Sequence, residues 1–207
     1  MSDGKLIFVV DDDADLRESL QVLLESAGYR VSGFGSARAF LDAQTSAGSC
    51  LIADVHMPEM DGLALQEEMA RRGIHLPVII MTGHGQVPLA VRAMKAGALD
   101  FIEKPFDDTI MLENVRRAIE IGERTRNRSA EAKAAQDLLS QLTPREREVL
   151  EQLVAGRSNK VAAYELSISP RTVEIHRARI MDKMHARNLS DLVRIALAAN
   201  GSVEGHA

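Results

Sequence analysis

The sequence predicts two folds in series. The first is an α/β domain built on a doubly wound parallel sheet, (βα)5, and the second is an all-α domain of four short helices containing a helix-turn-helix. Three observations carry this. Short runs that are apolar throughout alternate with stretches of helical periodicity over residues 1–123, the pattern of a parallel sheet covered on both faces. After residue 140, helix starts marked by Ser or Thr caps follow one another closely. Charge also divides: residues 1–123 carry 11 Lys/Arg against 20 Asp/Glu, 124–140 carry 4 against 2, and 141–207 carry 10 against 8. An acidic front and a mildly basic back suit two jobs, with a polyanion as a candidate partner of the second.

A chain of 207 residues can hold two such cores. No apolar run approaches the roughly 18 residues of a membrane span, so no membrane partner is expected. Met1-Ser2-Asp3-Gly4 lacks a basic stretch followed by an apolar one, so no signal peptide is expected. The single cysteine, Cys50, cannot form an internal disulfide, and its strand context makes it an inert core thiol. The cytoplasm is the expected compartment.

Strands are expected at 5–10, 29–34, 49–53, 77–81 and 99–102. Between the first two, Leu16, Leu20, Leu23, Leu24 and Ala27 recur at helical spacing and Gly28 stops the helix. Residues 62–72, 87–96 and 107–123 read as further helices. Residues 124–140, with Ala130, Ala132, Ala134, Ala135, Leu138 and Leu139, either extend the preceding helix or form a solvated linker. A helix with frayed parts is favoured.

Thr143-Pro144-Arg145-Glu146 then forms a capping box with proline at the first helical position, and Gly156 closes that helix. Ser158 is expected to cap 159–166, Ser169-Pro170 to open 171–184, and Ser190 to cap 191–199 with Gly201 as the stop. The middle two, joined by Ser167-Ile168-Ser169, make the helix-turn-helix. The expected division is therefore 1–123, a largely helical connector at 124–140, and 141–203.

In an open α/β sheet the site forms outside the carboxyl ends of the strands. Asp11 and Asp12 follow the first strand, Asp54 the third, Thr82 the fourth and Lys104 the fifth. Asp11, Asp12 and Asp54 in one cleft would repel one another unless a cation lay among them. Mg²⁺ suits them, because it takes hard oxygen ligands and leaves room for phosphoryl oxygens. A carboxylate beside the metal can accept a phosphoryl group as an acyl phosphate, with Lys104 and Thr82 as donors to its oxygens. The alternative for Asp11-Asp12-Asp13 is an N-cap with first-turn acids; the convergence of five groups favours the site.

Along 171–184, Val173, His176, Ile180 and Met184 repeat at three and four and are expected to pack inward, His176 as a hydrogen-bonded core residue. The opposite side offers Arg171, Glu174, Ile175, Ala178, Arg179 and Asp182. Arg171, Arg177, Arg179, Lys183 and Arg187 outnumber Glu174 and Asp182 there.

Phe8-Val9-Val10-Asp11-Asp12-Asp13, Asp54-Val55-His56-Met57-Pro58-Glu59-Met60-Asp61-Gly62, Met81-Thr82-Gly83-His84-Gly85 and Lys104-Pro105-Phe106 resemble a two-component receiver domain. The resemblance implies that Asp54 is the phospho-acceptor, that Asp11, Asp12 and Asp54 bind Mg²⁺ with the backbone carbonyl of His56, and that Thr82 and Phe101 are the switch pair. It also implies a cis bond between Lys104 and Pro105. The string from Leu142-Thr143-Pro144-Arg145-Glu146 through Asn159-Lys160 and Ser169-Pro170-Arg171-Thr172-Val173 to Lys183-Met184 resembles a LuxR-type DNA-binding domain. That likeness implies that 171–184 enters the major groove, with Glu174, Ile175 and Ala178 at the bases and Arg171, Thr172, Arg179 and Lys183 among the other DNA contacts.

Taken together the chain resembles the FixJ family of response regulators. Such a chain is a transcriptional regulator and not an enzyme, apart from Mg²⁺-dependent phosphorylation and dephosphorylation of its own receiver. The resemblance implies a sensor histidine kinase, promoter DNA and RNA polymerase as partners, and a homodimer on phosphorylation. A phosphate sink would need no groove reader, and a regulator indifferent to phosphorylation would not need a complete acidic site.

Overall fold

The structure is a computed structural model, which describes residues 4–43, 48–83 and 87–200. The expectations resting on Met1, Ser2, Asp3, His84, Gly85 and Gly201 lie outside those residues. The chain divides into two compact units, Met1–Arg124 and Thr125–Ala207.

The first unit is a five-stranded parallel sheet in the order β2-β1-β3-β4-β5, with β1 Leu6–Val10, β2 Arg30–Phe34, β3 Cys50–Asp54, β4 Val78–Thr82 and β5 Asp100–Glu103. Its helices are α1 Ala14–Ser26, α2 Ala37–Asp42, α3 Gly62–Arg71, α4 Val87–Lys95 and the start of α5, Asp108–Ser140. The central strands are apolar on both sides because both sides are covered. Ile7, Val9, Cys50, Ile52, Ile79 and Met81 point to a core closed by Leu20 and Leu24 of α1 and Met111, Val115 and Ala118 of α5. Phe8, Val10, Leu51, Ala53, Val78 and Ile80 point to the opposite core, closed by α2, α3 and α4. Each fully buried side chain of this size contributes about 1.5–3 kcal/mol.

The order reverses between β1 and β3, which makes the carboxyl ends of those strands the topological switch point. Asp11 and Asp54 stand there. Cys50 is fully buried, and burial pushes its thiol up to about 12, in keeping with an inert core residue.

Helix α2 has no counterpart among the helices expected from the sequence. It is six residues long, capped by Ser36, and held to the sheet by Phe40, whose ring lies 5.4 Å from Phe8 and 5.5 Å from Phe34. Its signal, Ala37, Phe40 and Leu41, is too short to stand out as a period.

In the second unit the end of α5 is followed by α6 Pro144–Val154, α7 Asn159–Glu165, α8 Pro170–Lys183 and α9 Leu189–Asn200. The connector expected to fray in parts is continuous helix, since Ala135 is buried and Leu138 and Leu139 pack on the second core. The capping box at Thr143 and the caps at Ser158 and Ser169 form as expected. Ser190 does not cap α9: Asn188 Oδ1, two residues earlier, accepts from the Asp191 amide at 2.9 Å. Among the described residues no helix is long and apolar enough to cross a membrane.

Candidate functional site

Each strand end delivers one part of the acidic site. β1 ends at Val10, and Asp11 turns back into the switch point, where only 1% of it is exposed. Its carboxylate is oriented by two donors, the Asp13 amide on Oδ1 at 2.9 Å and Lys104 Nζ on Oδ2 at 2.7 Å. Asp13 caps α1, which leaves Asp12 exposed beside Asp11. The expected cap and the acidic site therefore coexist, divided between neighbouring aspartates.

β3 ends on Asp54, which is 5% exposed. Its Oδ1 lies 2.7 Å from Lys104 Nζ, and its Oδ2 accepts from the His56 amide at 2.9 Å. Lys104 reaches both carboxylates from the end of β5, and its preceding amide bond is anchored by donation to the Thr82 carbonyl at 2.7 Å. The Lys104–Pro105 bond is cis. Thr82 is fully buried at the end of β4, and Phe101 is half-buried against the α2–α4 core. The imidazole of His56 is exposed.

Asp11, Asp12 and Asp54 each offer a carboxylate oxygen, all within 4.8 Å of one another. Burial raises the Asp11 pKa, with the Lys104 and Asp13 hydrogen bonds opposing it in part. Burial also opposes charge on Lys104, but its hydrogen bonds to Asp11 and Asp54 outweigh that and raise its pKa. Three converging carboxylate oxygens with a single ammonium between two of them fit a hard divalent cation such as Mg²⁺.

Two supports were not among the residues singled out for roles. Arg17 Nη1 donates to the Asp11 carbonyl at 2.6 Å and so braces the loop that carries Asp11 and Asp12. Its signal was only an Arg one turn into α1, a common surface residue. Gly62 opens α3 directly under Asp54: a Cβ there would fall 2.3 Å from the Asp54 carbonyl oxygen, so only glycine lets the helix approach.

The second unit presents a different surface. On α8 and at its C-cap, Val173, Ile180 and Met184 are buried, while His176 is half-buried with Nδ1 unpartnered, not hydrogen-bonded as expected. Arg171, Glu174, Ile175, Ala178 and Arg179 are exposed together on the opposite face, with Ile175 46% accessible despite its apolar side chain. Two of the expected DNA contacts are engaged within the domain. Thr172 is half-buried, with its hydroxyl 2.8 Å from the Ser169 hydroxyl in the helix cap. Lys183 Nζ is held at 2.7 Å by Glu146 Oε2. The inward period at 173, 176 and 180 places 183 on the same side, a consequence that the charge tally alone concealed.

Residues 7–116 match the family model of the response regulator receiver domain, and residues 140–196 that of bacterial regulatory proteins, luxR family. The chain is 48% identical over 194 residues to the transcriptional regulatory protein FixJ of Bradyrhizobium diazoefficiens, covering 93% of this chain and 95% of that one. With FixJ of Azorhizobium caulinodans it shares 49% over 207 residues, covering 96% and 95%. Among solved structures it resembles full-length FixJ from B. japonicum, with a TM-score of 0.60 and 48% identity over 96% of this chain and 98% of that one. It also resembles the response regulator StyR, with a TM-score of 0.80 and 38% identity over 94% and 98%. With its receiver fold, its LuxR-type helices and this likeness along nearly its whole length, the chain belongs to the FixJ family of two-component response regulators.

Proposed function

We propose that phosphorylation of Asp54 switches this chain into a promoter-binding dimer, with 1–123 as the receiver, 124–140 as a helical connector and 141–203 as the DNA-reading domain. The observation that carries this is Lys104 Nζ, set 2.7 Å from both Asp54 and Asp11 in the cleft where the three carboxylates meet. Asp11, Asp12, Asp54 and the His56 carbonyl would hold Mg²⁺, which would offset negative charge on the phosphoryl oxygens. An Asp54 carboxylate oxygen attacks phosphorus; the bond to the histidine nitrogen of a sensor kinase breaks as the acyl phosphate forms. Asp54 is pre-aimed by the His56 amide, and Lys104 is freed to take a phosphoryl oxygen. Hydrolysis of the same bond returns the receiver to rest, and this is the extent of its catalysis.

Phosphorylation favours one of two packings, the one in which the Thr82 hydroxyl is drawn toward the phosphate and Phe101 turns inward. Val87, Val91 and Met94 line one side of α4 at 75%, 46% and 50% exposure, an apolar stripe suited to the dimer face. In the second domain Arg171 and Arg179 take phosphates and Glu174, Ile175 and Ala178 face base edges. Promoter DNA, RNA polymerase and a sensor histidine kinase are the partners, all met in the cytoplasm. The phosphoryl step is tested by weighing the protein after incubation with a small phosphodonor and Mg²⁺. One added phosphoryl group in the wild type and none in Asp54→Asn is expected; equal labelling of that variant would refute the assignment.

A further inference from the structure

The first turn of α6 grips both helices of the helix-turn-helix. Arg145 Nη2 donates to the Leu166 carbonyl at 2.5 Å, at the residue that ends α7. Next to it, Glu146 is 3% exposed, and its Oε2 accepts from Lys183 Nζ at 2.7 Å, at the last residue of α8. The same oxygen accepts from the Thr143 amide at 2.9 Å, so the carboxylate serves the α6 cap and the α8 terminus together. Lys183 Nζ also donates to the Gln141 carbonyl at 3.3 Å. Its charge is thus spent inside the domain, on the side of α8 that carries Val173 and Ile180, away from Glu174, Ile175 and Ala178.

We propose that Glu146 is a positioning residue for DNA reading: it holds the carboxyl-terminal end of α8 at a fixed angle to α6 and keeps the Lys183 ammonium off the DNA backbone. The proposal rests on the DNA-reading function above and gives Lys183, a DNA contact expected from the sequence, a place in the frame instead. Burial of the carboxylate fits this, since a buried charge is tolerated only with a committed partner. A pair of this kind, with the carboxylate buried and the Lys183 side chain 33% exposed, sets geometry more than it adds stability, and it makes the two ends of α8 differ. The amino-terminal end, capped by Ser169, is left to approach DNA, and the carboxyl-terminal end is tied down.

The test is the salt dependence of DNA affinity for the full-length chain, using duplex selected from a random pool by the wild type. Each phosphate neutralised contributes about 0.9 to the slope of log affinity on log salt. Lys183→Gln is expected to keep the wild-type slope, whereas Arg179→Ala lowers it by about that amount. Glu146→Gln retains a group able to complete the capping box but releases Lys183. Its slope is expected to steepen, and its preference for the selected duplex over unrelated DNA to fall severalfold. Adding Lys183→Gln to it should restore the slope, which simple loss of stability would not do. A slope lowered in Lys183→Gln, or a Glu146→Gln protein with slope and preference both unchanged, would overturn the proposal. If Glu146→Gln fails to fold, the Lys183→Gln slope decides alone. A wild type that binds no DNA at any salt would overturn the DNA-reading function itself.

Discussion

Lys104 Nζ stands 2.7 Å from Asp54 Oδ1 and 2.7 Å from Asp11 Oδ2, so one ammonium joins a proposed phospho-acceptor to a proposed metal ligand. The two carboxylates come from neighbouring strands at the switch point and are both nearly sealed from water. Without that cation they would face each other as buried like charges.

This relationship has two opposite consequences. Removing the ammonium in Lys104→Gln takes a competing cation from Asp11 and Asp54, so Mg²⁺ affinity is expected to rise severalfold. The same change removes the charged donor from the transferring phosphoryl group, and the phosphorylation rate is expected to fall by about 10²-fold, the usual scale for a lost electrostatic contact. Calorimetric Mg²⁺ titration and the rate of mass gain with a phosphodonor check the two halves.

Gly62→Ala places a methyl group where the Asp54 carbonyl lies, at a separation of 2.3 Å. The backbone has to give way, at a cost of about 1–3 kcal/mol. Because the displaced group is the peptide of Asp54 itself, urea unfolding and the phosphorylation rate are both expected to worsen. An unchanged rate in a folded variant would show that the loop yields without moving the carboxylate.

Glu146 gives the second unit an acid-sensitive joint. Its hydrogen bonds from Lys183 and then Thr143 lower its pKa from 4.5 to about 2. A carboxyl whose folded-state pKa is depressed contributes stability above its unfolded value and loses it as pH falls through the folded one. The stability difference between wild type and Lys183→Gln is therefore expected in full at neutral pH, shrinking between pH 4.5 and about 2. Urea titrations followed through amide signals of α6 and α8 measure it; a difference independent of pH would contradict the assignment.

On α8, Arg179→Ala is expected to weaken binding to many duplexes alike and reduce the salt slope, since its partner is phosphate. Glu174→Ala should instead relax preference at one base pair, by about 1–3 kcal/mol. Affinities across a panel of single-base variants separate the two effects.

Much of this was legible in the sequence because it depends on local pattern. The central strands β1, β3 and β4 are runs of apolar residues closed on both faces, and the boundaries of all five shift by only a residue or so. Asp11, Asp54 and Lys104 could be placed together because strand ends in a doubly wound sheet share one edge. What escaped depends on tertiary packing. Helix α2 is six residues held by three aromatic rings, and its local signal, a Ser36 cap and three apolar residues, is too short to stand out. Ser190 is the cap expected from the sequence, but the approach of the chain to α9 brings the Asn188 oxygen to the Asp191 amide instead. The partner of Lys183 lies 37 residues away in sequence, so from local pattern its charge reads as part of a basic face. The unpartnered Nδ1 of His176 is likewise set by what surrounds α8, not by its period.

The central claim is that phosphate on Asp54 governs DNA binding. The most direct measurement is the affinity of the full-length wild type and of Asp54→Asn for the selected duplex, with Mg²⁺, each with and without a phosphodonor. Tighter binding of the wild type on adding the donor, with dimer formation seen by sedimentation and no response from Asp54→Asn, is the expected result. Affinity that ignores the donor, or an Asp54→Asn protein that responds as the wild type does, would contradict it.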